Sequence, residues 1–178
     1  MHALRLFKER GYHETTVEQI AEAAEISPST FFRYFSTKEE VVTTDNYDSF
    51  LIAAFEAQPS DLSPIQAVRQ AMISGAEELS DGELAAVRER DQLIMSIPEL
   101  RAATLNNMTG TIKLIAEMVA KRIGCSPDDM AVRTFAGAVI GVNISVMLHY
   151  AEHPDADFRQ LLDTALGQLE AGLPLPGK

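Results

Sequence analysis

Apolar residues recur every three or four positions along almost the whole chain, and no stretch alternates convincingly with a period of two. That pattern predicts helix after helix. In "HALRLFKERG", Ala3, Leu4 and Phe7 form one stripe, and Gly11 supplies the stop. "TTVEQIAEAAE" follows, with Thr16 placed to cap a helix whose Val17, Ile20, Ala21 and Ala24 fall at i, i+3, i+4 and i+7. After a tight break at Glu25-Ile26, Ser27 caps a third helix. Pro28 takes its first position, where a missing N–H costs nothing. On a wheel of about 100° per residue, Pro28, Phe31, Phe32 and Phe35 fall on one side, and Thr30, Arg33 and Tyr34 on the other. The three phenylalanines are expected to anchor a helix of about two turns, too short to persist alone. The opposite face offers a hydroxyl, a guanidinium and a phenol.

"STKEEVVTTDNYDSFLIAAFEAQ" then predicts one long helix from Lys38 to about Gln58, capped at Ser36 or Thr37 with Glu39 or Glu40 completing a capping box. "PSDLSP" ends it and is the clearest boundary in the chain. Beyond lie "IQAVRQAMISGAEELS", "GELAAVRERDQLIMSI", a segment opened by Pro98, and, past "CSPDD", two more helical runs and a Pro-rich tail. The expected fold is all-α with about nine helices and no repeats.

Composition narrows the partners. With 178 residues, 46% of them hydrophobic, the chain can bury a sizeable core. Its net charge of −11 argues against diffuse attraction to polyanions or anionic membranes, while leaving room for a locally positive face. A single cysteine, Cys125, excludes an internal disulfide and suits a reducing compartment. "MHALRLFKERG" carries charges where a signal peptide needs an apolar run. The most apolar stretch, Ala136 to Leu148, is 13 residues long, short of the roughly 20 that cross a bilayer. A cytoplasmic protein without a membrane partner is expected.

The order helix, helix, tight turn, short helix, long helix carries "TTVEQIAEAAEISPSTFFRYFSTKEEVV". This segment resembles the DNA-binding part of TetR-family transcriptional regulators. Thr16, Ile20, Ala21, Ala24, Ile26, Ser27, Thr30, Phe31, Phe32, Tyr34, Phe35, Thr37, Lys38 and Glu39 meet the family pattern. The resemblance implies a three-helix helix-turn-helix domain over residues 1–45 whose last helix enters the major groove of double-stranded DNA. It also implies a basic N-terminal arm that these residues do not include. Residues 46–178 would form a helical ligand-binding and dimerisation domain, reached through the long helix. By position, Thr16 would donate to a phosphate, and Ser27, Ser29, Thr30, Arg33 and Tyr34 would form the recognition surface. Lys38 would hold another phosphate at the start of the long helix. Arg33 is the residue expected to read a base, most simply guanine, with Tyr34 fixing register on a phosphate. Residues 1–44 hold five basic side chains against seven acidic ones, so weak non-specific binding and strong salt sensitivity are expected.

"VRERDQLIMSIPELRA" resembles the C-terminal domains of regulators that bind acyl-CoA-like ligands, mycofactocin-regulator-like members among them. It implies a chamber for a small hydrophobic or acyl-CoA-like effector. The residues expected to line it are Met72, Arg90, Ile94, Leu105, Met108, Ile112, Phe135, Val139, Asn143 and Met147. Methionines adapt to irregular ligands, and an occasional amide or guanidinium would orient them. Gly137 and Gly141, in G-x-x-x-G spacing, allow close helix approach, so the last two long helices are read as the seam of a homodimer.

Two readings from other classes compete. "HYAEH", His149 to His153, matches the H-x-x-E-H zinc motif of a hydrolase, but Pro154 follows at once and no third ligand stands out. A helical interaction module without a DNA role is the other. The expectation is a regulator, most simply a repressor on a palindromic operator, with no enzymatic activity and no cofactor. Effector binding would swing the long helix and free the DNA.

Overall fold

The computed structural model describes residues 2–43 and 47–175, and these hold ten helices and no strand. The helices are α1 His2–Arg10, α2 Val17–Ala23, α3 Pro28–Tyr34, α4 Glu40–Thr43, α5 Tyr47–Glu56, α6 Pro64–Glu77, α7 Asp81–Ser96, α8 Pro98–Ile123, α9 Met130–Glu152 and α10 Phe158–Glu170. The expected long helix from Lys38 to Gln58 is described as two pieces, α4 and α5. Its middle, residues 44–46, lies outside the described residues, and this division raises the helix count from about nine to ten.

The chain forms two compact units. One takes residues 1–45 and also 93–107; the other takes 46–92 and 108–178. In the first, Ala3, Leu6, Phe7, Tyr12, Ile20, Ala21, Phe31 and Val42 share a core with Ile94 and Leu100, delivered by the α7–α8 segment. Asn107 Nδ2 donates to the Thr43 hydroxyl (3.0 Å) and carbonyl (3.2 Å).

The second unit packs α5, α6, α8, α9 and α10 around Leu51, Phe55, Val68, Met72, Ile115, Val119, Val139 and Leu166. Ala67 and Ala71 on α6 are fully buried, and their small size lets neighbouring helices come close. Gly75 goes further: a Cβ there would lie 2.6 Å from the Phe50 ring of α5. Arg69 of α6 ties this helix to α10, donating to Asp163 at 2.6 Å and Glu170 at 2.7 Å.

Helix α9, the first of the two helical runs expected past "CSPDD", spans 23 residues, and by length and composition alone it could cross a membrane. Its Val132, Ala136, Val139, Ile140 and Val146 are instead buried in the second unit's core. Only 28% of its most apolar window is buried within the chain. Met130 and Leu148 are exposed, and a Cβ on Gly137 or Gly141 would meet nothing within 4 Å.

Candidate nucleic-acid interface

The geometry of α2 and α3 follows from their caps. Thr16 accepts the Gln19 N–H while the Thr16 N–H donates to the Gln19 side chain, a reciprocal capping box. Helix α2 then ends in a Schellman motif: Ile26 N–H reaches Ala21 O (3.0 Å) and Glu25 N–H reaches Glu22 O (3.0 Å). Glu25 sits at the left-handed position of that motif with φ +57°, a place where glycine is usual. The chain reverses there, and Ser27 starts α3 by accepting the Thr30 N–H at 3.1 Å. The Ser27 hydroxyl lies 2.8 Å from that of Ser29 and 2.9 Å from that of Thr30, so three hydroxyls cluster at the start of the helix.

Phe31, 1% exposed, is the anchor of α3, with Phe35 half-buried beside it at 5.4 Å between ring centroids. Arg33 and Tyr34 are exposed; the Arg33 guanidinium lies 5.0 Å from the Tyr34 ring centroid. Ser27, Ser29 and Thr16 are exposed and Thr30 half-buried. Phe32 departs from the expectation that it packs inward: it is 54% exposed, touching Phe31 edge to face at 5.5 Å. The core direction is set by Phe31 and Phe35 alone. Phe32 lies about 80° round the helix from their midpoint, beyond the narrow stripe that so short a helix can bury.

Lys38 is half-buried. Its ammonium donates to Tyr12 O (2.9 Å) and Thr15 O (3.2 Å) and lies 4.0 Å from the Tyr12 ring centroid. Next to it the Tyr12 hydroxyl donates to Glu39. Burial and this carboxylate push the Tyr12 phenol well above its ordinary value of 10. Burial acts against the charge on Glu39. The Tyr12 hydroxyl, Glu39's own backbone N–H, Thr37 and Lys38 outweigh that effect and hold its carboxyl below the ordinary 4.5. Thr15, fully buried, donates to Gly11 O at 2.8 Å. Tyr12, Thr15, Lys38 and Glu39 thus latch the end of α1 to the start of α4 around the α2–α3 pair. Sequence reasoning missed Tyr12 and Thr15, because their partners stand 23 to 27 residues away.

The residues expected to line the effector chamber divide between the units. Met72, Met108, Ile112, Phe135 and Val139 share the second unit's core. Asn143 joins them, its amide 4.0 Å from the Met72 sulfur, and Met147 is half-buried on the same helix. Arg90 is half-buried on α7, 3.6 Å from the buried Asp91. Ile94 instead belongs to the first unit's core, and Leu105, 58% exposed, lies on the stretch of α8 that falls in that unit. The α7–α8 segment returns to the N-terminal helices, a long-range pairing that local periodicity does not encode. A separate open notch of about 480 Å³ lies between α9 and α10, lined by Ser145, His149, Asp155, Asp157, Gln160 and Thr164 among others. The His149 and His153 rings of "HYAEH" stack at 3.9 Å, and His153 Nδ1 lies 2.9 Å from His149 O. No group of three or more His, Cys, Asp or Glu able to hold a metal occurs among the described residues.

Residues 2–43 match the family model for bacterial regulatory proteins of the tetR family, and residues 62–174, more than half the chain, match the MftR C-terminal domain. The HTH-type transcriptional regulator TcmR of Streptomyces glaucescens is 39% identical over 134 residues, or 71% of this chain. The chain covers 59% of TcmR, about three fifths of that relative's length. MftR of Mycobacterium tuberculosis, whose name ties it to transcriptional regulation of mycofactocin biosynthesis, is 28% identical over 96% of this chain and 87% of its own. Among solved structures, the TetR-family repressor FadR of Thermus thermophilus, in complex with lauroyl-CoA, aligns with TM-score 0.55 and 24% identity over 99% of this chain and 94% of its own. A fatty acid metabolism regulator of Clostridium perfringens aligns with TM-score 0.61 and 19% identity, over 98% and 97%. These two likenesses establish the fold.

Proposed function

The chain belongs to the tetR family of bacterial regulatory proteins, and from that premise we propose a cytoplasmic repressor that binds a palindromic operator as a homodimer and is released by a hydrophobic or acyl-CoA-like effector. The observation that carries this reading is α3. A buried Phe31 holds it, Ser27 and Pro28 start it, and Arg33 and Tyr34 stand exposed beside its hydroxyl cluster. Arg33 reads a guanine edge through its fork of donors, and Ser27, Ser29, Thr30, Tyr34 and Thr16 meet the phosphate backbone. Lys38, its ammonium shared between two carbonyls, adds positive potential there while fixing the latch.

The apolar face of α9 supports pairing with a second copy. Exposed Met130 and Leu148, with open ground over Gly137 and Gly141, leave apolar surface that a twofold partner would cover. The effector reading rests on the MftR-type C-terminal domain and on a core holding Met72, Met108 and Asn143. An effector shifts DNA binding only by its unequal affinity for the bound and released states, and operator DNA must weaken effector binding by the same factor.

The test uses the full chain. An operator is selected from a random duplex library, and lauroyl-CoA is titrated into the complex while fluorescence anisotropy follows the DNA. Release at saturating ligand, with a matching rise in melting temperature of the free protein, supports the reading. Enrichment of an operator whose binding no acyl-CoA disturbs overturns the effector half of it.

A further inference from the structure

We infer that Phe32 is a specificity-determining residue, an apolar reader of a thymine 5-methyl group in the major groove. The inference rests on the proposed role of α3 and goes beyond it, since Phe32 was expected in the core. The side chain is 54% exposed, on a helix that also leaves Arg33 and Tyr34 exposed. Being a phenylalanine, it has no hydroxyl with which to meet a phosphate, so whatever it contributes to DNA binding is apolar contact. Among the base edges of the major groove, the thymine methyl is the apolar feature, and aromatic side chains suit it.

The ring is also held in place. Phe32 packs edge to face on Phe31, 5.5 Å between centroids at 84°, and Phe31 is fixed in the core at 1% exposure. Contact with DNA therefore costs little further rotamer freedom. On the wheel, Phe32 and Tyr34 lie about 80° to either side of the core direction, flanking Arg33 at the crown. A helix laid in the groove with Arg33 on a base edge then turns Phe32 toward one strand and Tyr34 toward the other. A guanine–thymine pairing in each half-site is the expected signature.

The experiment takes the operator selected by the full chain from a random library and replaces each thymine singly with deoxyuridine, which lacks only the methyl. Wild type is expected to lose about fourfold in affinity at one symmetry-related pair of positions, the factor that goes with returning one methyl-sized group to water. Phe32→Ala, folded by its unchanged melting curve, should bind the thymine operator more weakly yet treat thymine and deoxyuridine alike there. Phe32→Leu should keep part of the discrimination. If wild type shows no deoxyuridine penalty, or Phe32→Ala shows the same penalties, the assignment to Phe32 is overturned while the regulator reading stands. If the library yields no enriched sequence, both fall together.

Discussion

Glu25 is the one place in the helix-turn-helix where the backbone asks for a residue the sequence does not supply. It holds the left-handed position of the motif that ends α2, at φ +57°, with both motif hydrogen bonds at 3.0 Å. That conformation costs an L-residue roughly 1 to 2 kcal/mol. Glycine escapes the cost but gives back about 0.5 to 1 kcal/mol through its freer unfolded chain. Glu25→Gly is thus expected to stabilise the protein by roughly 0.5 to 1 kcal/mol. For a chain of this length that is about 2 °C in melting temperature. Glu25→Ala removes the same exposed charge while keeping the strain, so it isolates the backbone effect. Both variants should also bind operator more tightly, since each removes a negative charge from the domain that meets phosphate. Thermal unfolding followed by circular dichroism compares the three proteins. A Gly variant no more stable than the Ala variant refutes the reasoning about the turn.

Tyr12→Phe should cost about 1 to 2 kcal/mol by removing the hydroxyl bonded to Glu39. The pH dependence has a defined sign. The depressed Glu39 value means its contribution is present above the ordinary 4.5 and fades as pH falls through the lowered value. The raised Tyr12 value means its contribution is present below 10 and fades as pH rises further. Urea titrations should therefore find the gap between wild type and Tyr12→Phe level between those limits and narrowing outside them; a gap that widens beyond either limit contradicts the latch. Gly75→Ala should destabilise by about 1 to 3 kcal/mol through overpacking against Phe50. Gly110→Ala, in open space on α8, should stabilise by roughly 0.5 to 1 kcal/mol. Equal effects at the two glycines in calorimetry would show that the α5–α6 approach is not tight.

How much of this was legible depended on how far each signal reaches along the chain. Gly11 as the stop of α1, Thr16 and Ser27 as caps and Pro28 as an opening residue all act within a few positions, and the structure places them so. The inward turn of Phe31 was legible as well, because it is fixed by helical period. Phe32 was misread because period gives a direction around a helix but not the width of the stripe its neighbours can cover. The Tyr12–Glu39 pair and the entry of Ile94 into the first unit's core join residues 27 to more than 80 positions apart. No local pattern specifies such pairings; only the packed fold does. The left-handed Glu25 was hidden for the opposite reason, since the turn was evident but its usual glycine was absent.

The central claim, that α3 reads DNA, is tested most directly at Arg33. Affinities of wild type, Arg33→Ala and Arg33→Lys for the selected operator and for an unrelated duplex should be measured by anisotropy across a salt series. A bidentate guanine contact is worth about 1 to 3 kcal/mol, so Arg33→Ala should lose about fivefold or more on the operator and far less on the unrelated duplex, with Arg33→Lys only partly restoring it. Equal affinity of all three proteins for the operator, or an equal loss on both duplexes, contradicts the account.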